Sequence, residues 1–309
     1  MIEADSWRLA ARADALWLRA RMIREIRRFF FEMGFLEVET PVRIPAPAPE
    51  SHIDTIASAE WFLQTSPELC MKRLLAAGYP RIFQICKCFR AGERGDRHLP
   101  EFTILEWYRG GTDYRTLMGD CEVLIKGVAR ELGFDGAFPR QGRRIRLEVP
   151  WERITVRDAF LRFASMTDAE ALRRDCFDEI LACEIEPRLG MEAPVFLYEY
   201  PAELGALARV KETDPGIAER FELYIAGLEL ANAFSELTDA EEQRRRFEKA
   251  LEDRRRDHRP AYPMPERFLS TLSQMPPSAG IALGVDRLAM LFADTCRIED
   301  VVAFTPESL

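Results

Sequence analysis

The sequence predicts an α+β fold, a mostly antiparallel sheet flanked by helices. Three observations predict it. A long amphipathic helix near the start ends at a glycine and passes into a strand. A long hairpin follows over residues 81–108, and a second group of strands returns late in the chain. Strands that come in runs, with helices gathered around them, favour α+β over the regular β-α alternation of a parallel sheet. The 309 residues, 47% hydrophobic and 31% charged, have an ordinary globular balance and fit one large domain or two smaller ones.

Taken in order, Ile23, Ile26, Phe30 and Met33 recur at helical spacing and predict a helix over 14–33. Gly34 ends it. Phe35 to Thr40 alternates and reads as a strand closed by Pro41. Three prolines between Pro45 and Pro49 make a loop. Ser66 as N-cap and Pro67 at the first position open a helix to Ala77. In the hairpin, Arg81 to Arg90 is one strand and Glu101 to Tyr108 the other. Their connector, 91–100, is charged, carries Gly92 and Gly95, and is too long for a tight turn; it reads as a mobile functional loop. Residues 113–132 are helical, and 152–190 form two or three helices inserted between sheet elements. Strands return at Val195 to Tyr200, Phe221 to Ile225 and Leu228 to Phe234. Asp239 and Glu242 have capping-box spacing and open a helix to about His258. Ile281 to Gly284 is a strand feeding a helix from Asp286 to about Phe292.

Several function classes are disfavoured. No run of 18 apolar residues exists, so no membrane span is expected. Met1 to Arg12 lacks the apolar core of a secretion signal, which predicts a cytoplasmic protein. The seven cysteines are scattered without a CxxC pair and read as reduced thiols, not a disulfide frame or a zinc site. Only His52, His98 and His258 are available for histidine chemistry. The net charge of −9 argues against a broad nucleic-acid surface. The basic run Arg244 to Arg256 is interleaved with acids and reads as a solvated helix face.

Three segments carry the functional signal: REIRRFFFEMGFLEVETP (24–41), FRAGERGDRHLPEFTILEWY (89–108) and GIALGVDR (280–287). Each is ordinary alone. In this order they resemble motifs 1, 2 and 3 of class II aminoacyl-tRNA synthetases. TSPELCMKRL (65–74) and FELYIAGLELANAFSELTDAEEQ (221–243) resemble the lysyl branch. The resemblance spans roughly residues 20–305. It implies the class II catalytic fold, ATP-dependent activation of an amino acid as its adenylate, and a motif 1 dimer interface. The stripe on helix 14–33 is compatible with a homodimer or with packing on the chain's own core.

The residue chemistry agrees. Adenylate formation brings a carboxylate and a phosphate together, and the developing charge must be neutralised. An arginine fork can bridge two such anions. Arg90, at a strand end, suits that role, although alone it reads as a surface ion pair. Arg287 resembles the motif 3 arginine at the far phosphates, and Gly284 lets nucleotide approach the backbone. Glu222 and Glu229 are the magnesium candidates, since Mg2+ takes carboxylates together with phosphate oxygens. A two-residue turn at Ala226-Gly227 pairs 224 with 229 and sets both glutamates on one face. Asn232 then needs a bulge near Ala231 to join them, which lays the Leu230 backbone beside the nucleotide.

The lysyl resemblance further implies that Glu106, Tyr108 and Glu236 surround a side-chain ammonium and that Glu68, beside Ser66 and Pro67, takes the other amine. Asn232 and Arg90 would hold the carboxylate, Phe102 would stack on adenine, and His98 would lie near the phosphates. By period 2, Glu106 shares a strand face with Tyr108 and Phe102, and Asn232 shares one with Phe234 and Glu236. Core packing remains the ordinary reading of Phe102 and Phe234, and a helix-dipole charge that of Glu68.

The anticodon-reading OB domain of lysyl-tRNA synthetases has no room before motif 1. One domain over 1–309 is therefore expected, with tRNA binding not expected. In this the chain resembles the elongation factor P lysine ligase family, which transfers a lysyl group, preferably (R)-β-lysyl, to a lysine ε-amine of that protein. Ala282 agrees, standing where lysyl-tRNA synthetases have glycine. Departures are Gly92 and Glu93 in place of the usual FRxE glutamate, Leu99 for an asparagine near adenine, Ala233 for the glycine of NGF, and Tyr200 to Leu204, which resembles lysyl-tRNA synthetases more than the ligases. The alternatives are a truncated lysyl-tRNA synthetase and a non-catalytic regulatory subunit; retention of Arg90, Glu222, Glu229, Glu236 and Arg287 argues against the latter.

Overall fold

The protein is described from a computed structural model covering Trp7 and residues 9–309. Nine strands form the main sheet: β1 (Leu36–Glu37), β2 (Arg81–Phe89), β3 (Glu101–Gly110), β4 (Glu152–Thr155), β5 (Val195–Pro201), β6 (Val210–Lys211), β7 (Asp214–Ile225), β8 (Leu228–Ser235) and β9 (Ser278–Gly284). Their order is β1-β2-β3-β9-β8-β7-β5-β4, with β6 beside β7. The ladder is antiparallel from β2 to β5 and parallel only where β1 joins β2 and β4 joins β5.

One face of the sheet is the core. Phe83, Leu105, Trp107, Ala233, Ile281 and Phe221 alternate onto it and pack under three helices: α1 (Ala13–Glu32), α3 (Tyr114–Glu131), capped by Asp113, and α9 (Val285–Phe292). Met22, Ile26 and Phe30 of α1, four residues apart, are fully buried there, and Phe30 stacks on Phe83 at 4.6 Å. The stripe that serves the chain's own core is thus Met22, Ile26 and Phe30, with Ile23 partly buried at its edge; Met33, expected in the stripe, is exposed, as are Trp17 and Phe31. Gly34, with φ +73, ends the helix. The opposite face of the sheet is bordered by α2 (Glu68–Ala76), α7 (Ala240–Arg256) and α8 (Glu266–Leu272), which share a smaller apolar cluster. The inserted helices α4 (Val156–Phe163), α5 (Asp168–Arg173) and α6 (Phe177–Ile180) bury a cluster of their own against β5.

Several expectations need correction. The strand at 35–40 is only two residues long: the ladder pairs Leu36 with Ile82 and Glu37 with Phe83 and ends after the Val38 amide donates to Phe83 O. Residues 152–155 are a strand, not helix, drawn into the sheet beside β5. The hairpin over 137–146 and helix α8 were not anticipated. Asp239 caps α7 through the Glu241 and Glu242 amides, but Glu242 turns its carboxylate to Arg245 and Arg246 instead of completing a capping box. Arg254, counted in a solvated face, is fully buried. Its guanidinium donates to Glu50 O, Ile53 O, Pro260 O, Asp54 Oδ1 and Tyr262 OH. Among the described residues, no helix is long and apolar enough to cross a membrane.

Candidate active site

The site is written across the open face of the sheet in two rows. Gln84, Glu106, Ala282, Asn232 and Glu222 are successive cross-strand partners on β2, β3, β9, β8 and β7. Ile82, Tyr108, Gly280, Phe234 and Arg220 form the row beside it. A β-bulge aligns them. Tyr224 pairs with Glu229 but Leu223 pairs with Ala231, so the buried Leu230 is the extra residue. That bulge turns Glu229, Asn232 and Phe234 to the same side. The turn at Ala226 and Gly227 has positive φ at both residues, as a two-residue hairpin of this twist requires.

One end of the face is a carboxylate pocket. Glu106 is buried and accepts from Ser66 Oγ at 2.6 Å and Tyr108 OH at 2.8 Å. Ser66 Oγ also accepts from the Glu68 amide, with Pro67 in the cap position of α2. Glu236 is buried next to Gly280 and Tyr108. Burial pushes the Glu106 and Glu236 carboxyls up to about 8 each. Burial and the neighbouring carboxylates raise the Tyr108 phenol well above its ordinary range. Between Glu68 and Glu236 stands Lys72, whose Nζ lies 2.6 Å from one and 2.5 Å from the other. Burial lowers its pKa, but the two carboxylates outweigh that and raise it. The Lys72 ammonium holds Glu236 Oε2 in an ion pair, while Glu236 Oε1 and Gln84 Oε1 stay without a donor. Buried polar atoms rarely remain so, and both lie at the same acidic end of the open sheet face as Glu106.

The other end is cationic. Arg90 lies 5.0 Å over the Phe102 ring and 3.6 Å from Glu93, keeping an unpartnered buried Nε. Gly92 has φ +77, a left-handed turn that favours glycine and lets Glu93, not residue 92, face Arg90. Arg287 donates to Glu229 O at 2.8 Å and Oε2 at 3.2 Å, and lies 2.6 Å from His98 Nε2. Burial and Arg287 lower the His98 pKa. Gly284 lies at the end of β9, one strand from Ile104. Leu99 is buried in the main core, so its side chain is withheld from any base in the cleft. The connector 91–100 is fastened at several points: Ala91 N to Asp54 O, Ile298 N to Asp96 O, and Arg94 to Glu307 at 2.7 Å.

Glu222 sits in a cage. Its oxygens accept from Tyr200 OH at 2.5 Å, Tyr224 OH at 2.6 Å and Arg220 at 2.6 Å. Glu199 adopts φ +61 at a bulge in β5 just before Tyr200. Arg220 also donates to Asn232 Oδ1 at 3.1 Å, which turns that amide's NH2 away from it. A carboxylate offers about four lone-pair positions, and three at Glu222 are filled. With Glu229 on the same face, each glutamate can give an oxygen to a hard cation, a fit for magnesium completed by phosphate and water.

The sequence reading gave no site role to Lys72, Arg220, Tyr200, Tyr224, Gly280 or Glu50. Glu50 is half-buried; burial pushes its carboxyl up to about 7 against the pull of Arg90, with Glu68 raising it further. The available signal was period 2 for Arg220 and Tyr224, which share a strand face with Glu222.

A mostly antiparallel sheet with its main core under three helices on one face, and on the other a face bordered by helices that is acidic at one end and arginine-lined at the next, defines a class II synthetase-type catalytic domain. The profile of class II tRNA synthetases (D, K and N) matches residues 5–308, and the chain belongs to that family and is an enzyme of the ligase class. Among curated relatives, an elongation factor P–(R)-beta-lysine ligase of Mannheimia succiniciproducens is 40% identical over 98% of each chain. Ligases of the same name from Hamiltonella defensa and Salmonella arizonae are each 39% identical over 99% of each chain.

Proposed function

We propose that this ligase activates lysine or (R)-β-lysine as an adenylate with ATP and transfers the acyl group to a lysine ε-amine of elongation factor P. The observation that carries this is the pocket of buried Glu106 and Glu236 with the half-buried Glu68, carboxylates suited to ammonium groups, with two arginines suited to a carboxylate and phosphates at the other end of the face. The names of the relatives support the acceptor and the β-lysyl preference.

In the first step a substrate carboxylate oxygen bonds to the α-phosphorus, and the bond to the β-phosphate bridge breaks to release pyrophosphate. Arg90 and Asn232 hold the carboxylate, and Asn232 offers its NH2 because Arg220 holds its oxygen. Phe102 faces the adenine, Gly284 and the Leu230 backbone line the nucleotide, and Arg287 with His98 meets the outer phosphates. Glu222 and Glu229 would hold Mg2+, which when bound neutralises phosphate charge. In the second step the acceptor amine, having lost a proton, bonds to the carbonyl carbon and AMP leaves. The protein is further proposed to work as a cytoplasmic homodimer and on a protein acceptor, not tRNA.

ATP–pyrophosphate exchange tests the first step, with α-lysine, (R)-β-lysine and no amino acid compared. Exchange that depends on either lysine is expected, and none with either refutes the activation. Mass analysis of elongation factor P and acid-precipitable tRNA labelling then separate the acceptors.

A further inference from the structure

Inside the amine pocket stands a cation that belongs to the chain. Lys72 lies one helical turn beyond Glu68 on α2, with a side chain 1% exposed. Its Nζ touches Glu68 and Glu236 and sits 5.0 Å from the centre of the Phe234 ring. A buried ammonium is tolerated only with such partners. The charged and titratable groups around it are Glu68 from its own helix, Glu236 just beyond β8, and Glu106 and Tyr108 from β3. Glu50 adds its charge near Glu68.

The pocket's charge can be counted. Glu68, Glu106 and Glu236 carry three negative charges when ionised, Lys72 returns one, and two remain; Glu50 is set against the Arg90 cation and stands outside this count. Two ammonium groups of a diamino acid cancel those two, while its carboxylate is left for Arg90. We propose that Lys72 is a specificity-determining positioning residue, a built-in counter-ion that sets the pocket to accept two substrate ammonium groups and holds Glu68 and Glu236 to receive them. This rests on the reading of the pocket as a lysine site. A lysine that served only to pack α2 against β8 would affect stability and not the selectivity or the pH response of substrate binding.

The test uses the full chain with Lys72→Met and the milder Lys72→Gln. Without the internal cation the remaining carboxyls ionise at higher pH, since Lys72 holds the Glu106 and Glu236 values down. The acid limb of kcat/KM for lysine is expected to move up by about one pH unit or more, and the KM at neutral pH to rise at least about tenfold with a smaller change in kcat. Added ethylammonium should restore part of the loss in Lys72→Gln. ATP binding and a cooperative melt confirm that each variant is folded. A folded variant whose acid limb and KM coincide with those of the unsubstituted enzyme overturns the proposal. Should both variants fail to fold, the count is tested on the unsubstituted enzyme by inhibition. 1,5-diaminopentane is expected to compete with lysine at least about tenfold better than pentylamine, and equal inhibition overturns the proposal. Absence of lysine-dependent exchange in the unsubstituted enzyme is a different failure, that of the lysine reading itself.

Discussion

Replacing Gly280 by alanine puts one methyl into the wall of the amine pocket. A Cβ at that position would stand 2.3 Å from Glu236 Oε1, 2.3 Å from Tyr108 Cε1 and 2.5 Å from Tyr108 Cδ1. Carbon atoms rest at about 3.5–4.0 Å from one another, so the overlap exceeds about 1 Å. Neither neighbour yields easily. The Tyr108 ring is buried and its hydroxyl is fixed on Glu106, while Glu236 is buried against Lys72. Gly280 is thus required by crowding, not by a left-handed backbone. Overpacking of this kind costs about 1–3 kcal/mol, and where it falls on the pocket it lowers lysine binding by about 5- to 150-fold. Lysine-dependent ATP–pyrophosphate exchange, with a thermal melt alongside, measures it. Gly119→Ala on α3, outside the cleft, is the control for an added methyl, because nothing lies within 4 Å of its Cβ. Gly280→Ala with an unchanged KM for lysine and unchanged kcat would refute the argument that Tyr108 and Glu236 converge there to read the amine.

The pocket also predicts a pH response. Glu106 and Glu236, held near 8 by burial, keep protons below that value, and a diammonium ligand prefers them ionised. The KM for lysine therefore falls as pH rises from about 6.5 through about 8, and a KM independent of pH contradicts it. Without substrate the sign for stability is opposite: carboxyls raised above their unfolded value contribute stability present below about 4.5 and lost as pH rises through about 8. Melting of the substrate-free protein should accordingly be lower at alkaline pH, and the drop should shrink when lysine is added. Ala282 stands between Glu106 and Asn232 in its row. Ala282→Gly is expected to shift the ratio of kcat/KM for α- and β-lysine by up to about 1–3 kcal/mol, and an unchanged ratio removes the methyl from the account of specificity. Arg254→Met leaves Asp54 short of a buried partner and frees the carbonyls of Glu50 and Ile53. A loss of about 3–5 kcal/mol by denaturant unfolding is expected, and a loss under about 1 kcal/mol would show that this buried cluster does not hold the 50–54 segment.

Local signals made much of this readable from sequence. The helix at 13–32 had buried residues at regular spacing and a terminal glycine. The hairpin of β2 and β3 had alternation and a glycine-bearing connector. Period 2 put Glu106 with Tyr108 and Asn232 with Phe234, and the conflict between Glu229 and Asn232 already demanded the bulge. What escaped were residues whose meaning depends on partners distant in the chain. Lys72 on a helix and Arg254 in a run of charges look like solvated side chains, and nothing nearby shows that Glu236 or Asp54 awaits them. Gly280 is an ordinary strand glycine until Tyr108 and Glu236 close on it. Helix α8 is seven residues between prolines, too short for a periodic signal.

The extra residue at Leu230 has a consequence for how this chain can change over generations. Surface connections elsewhere in a protein can gain or lose residues with little effect. Between Leu223 and Ala231 the reading frame of the strand is itself functional. Deleting one codon there would make the ladder regular and leave its hydrogen bonds intact. It would also rotate either Glu229, or Asn232 together with Phe234, into the hydrophobic interior. Substitutions in this hairpin can be tried one at a time, whereas insertions and deletions exchange the two faces of a strand at once.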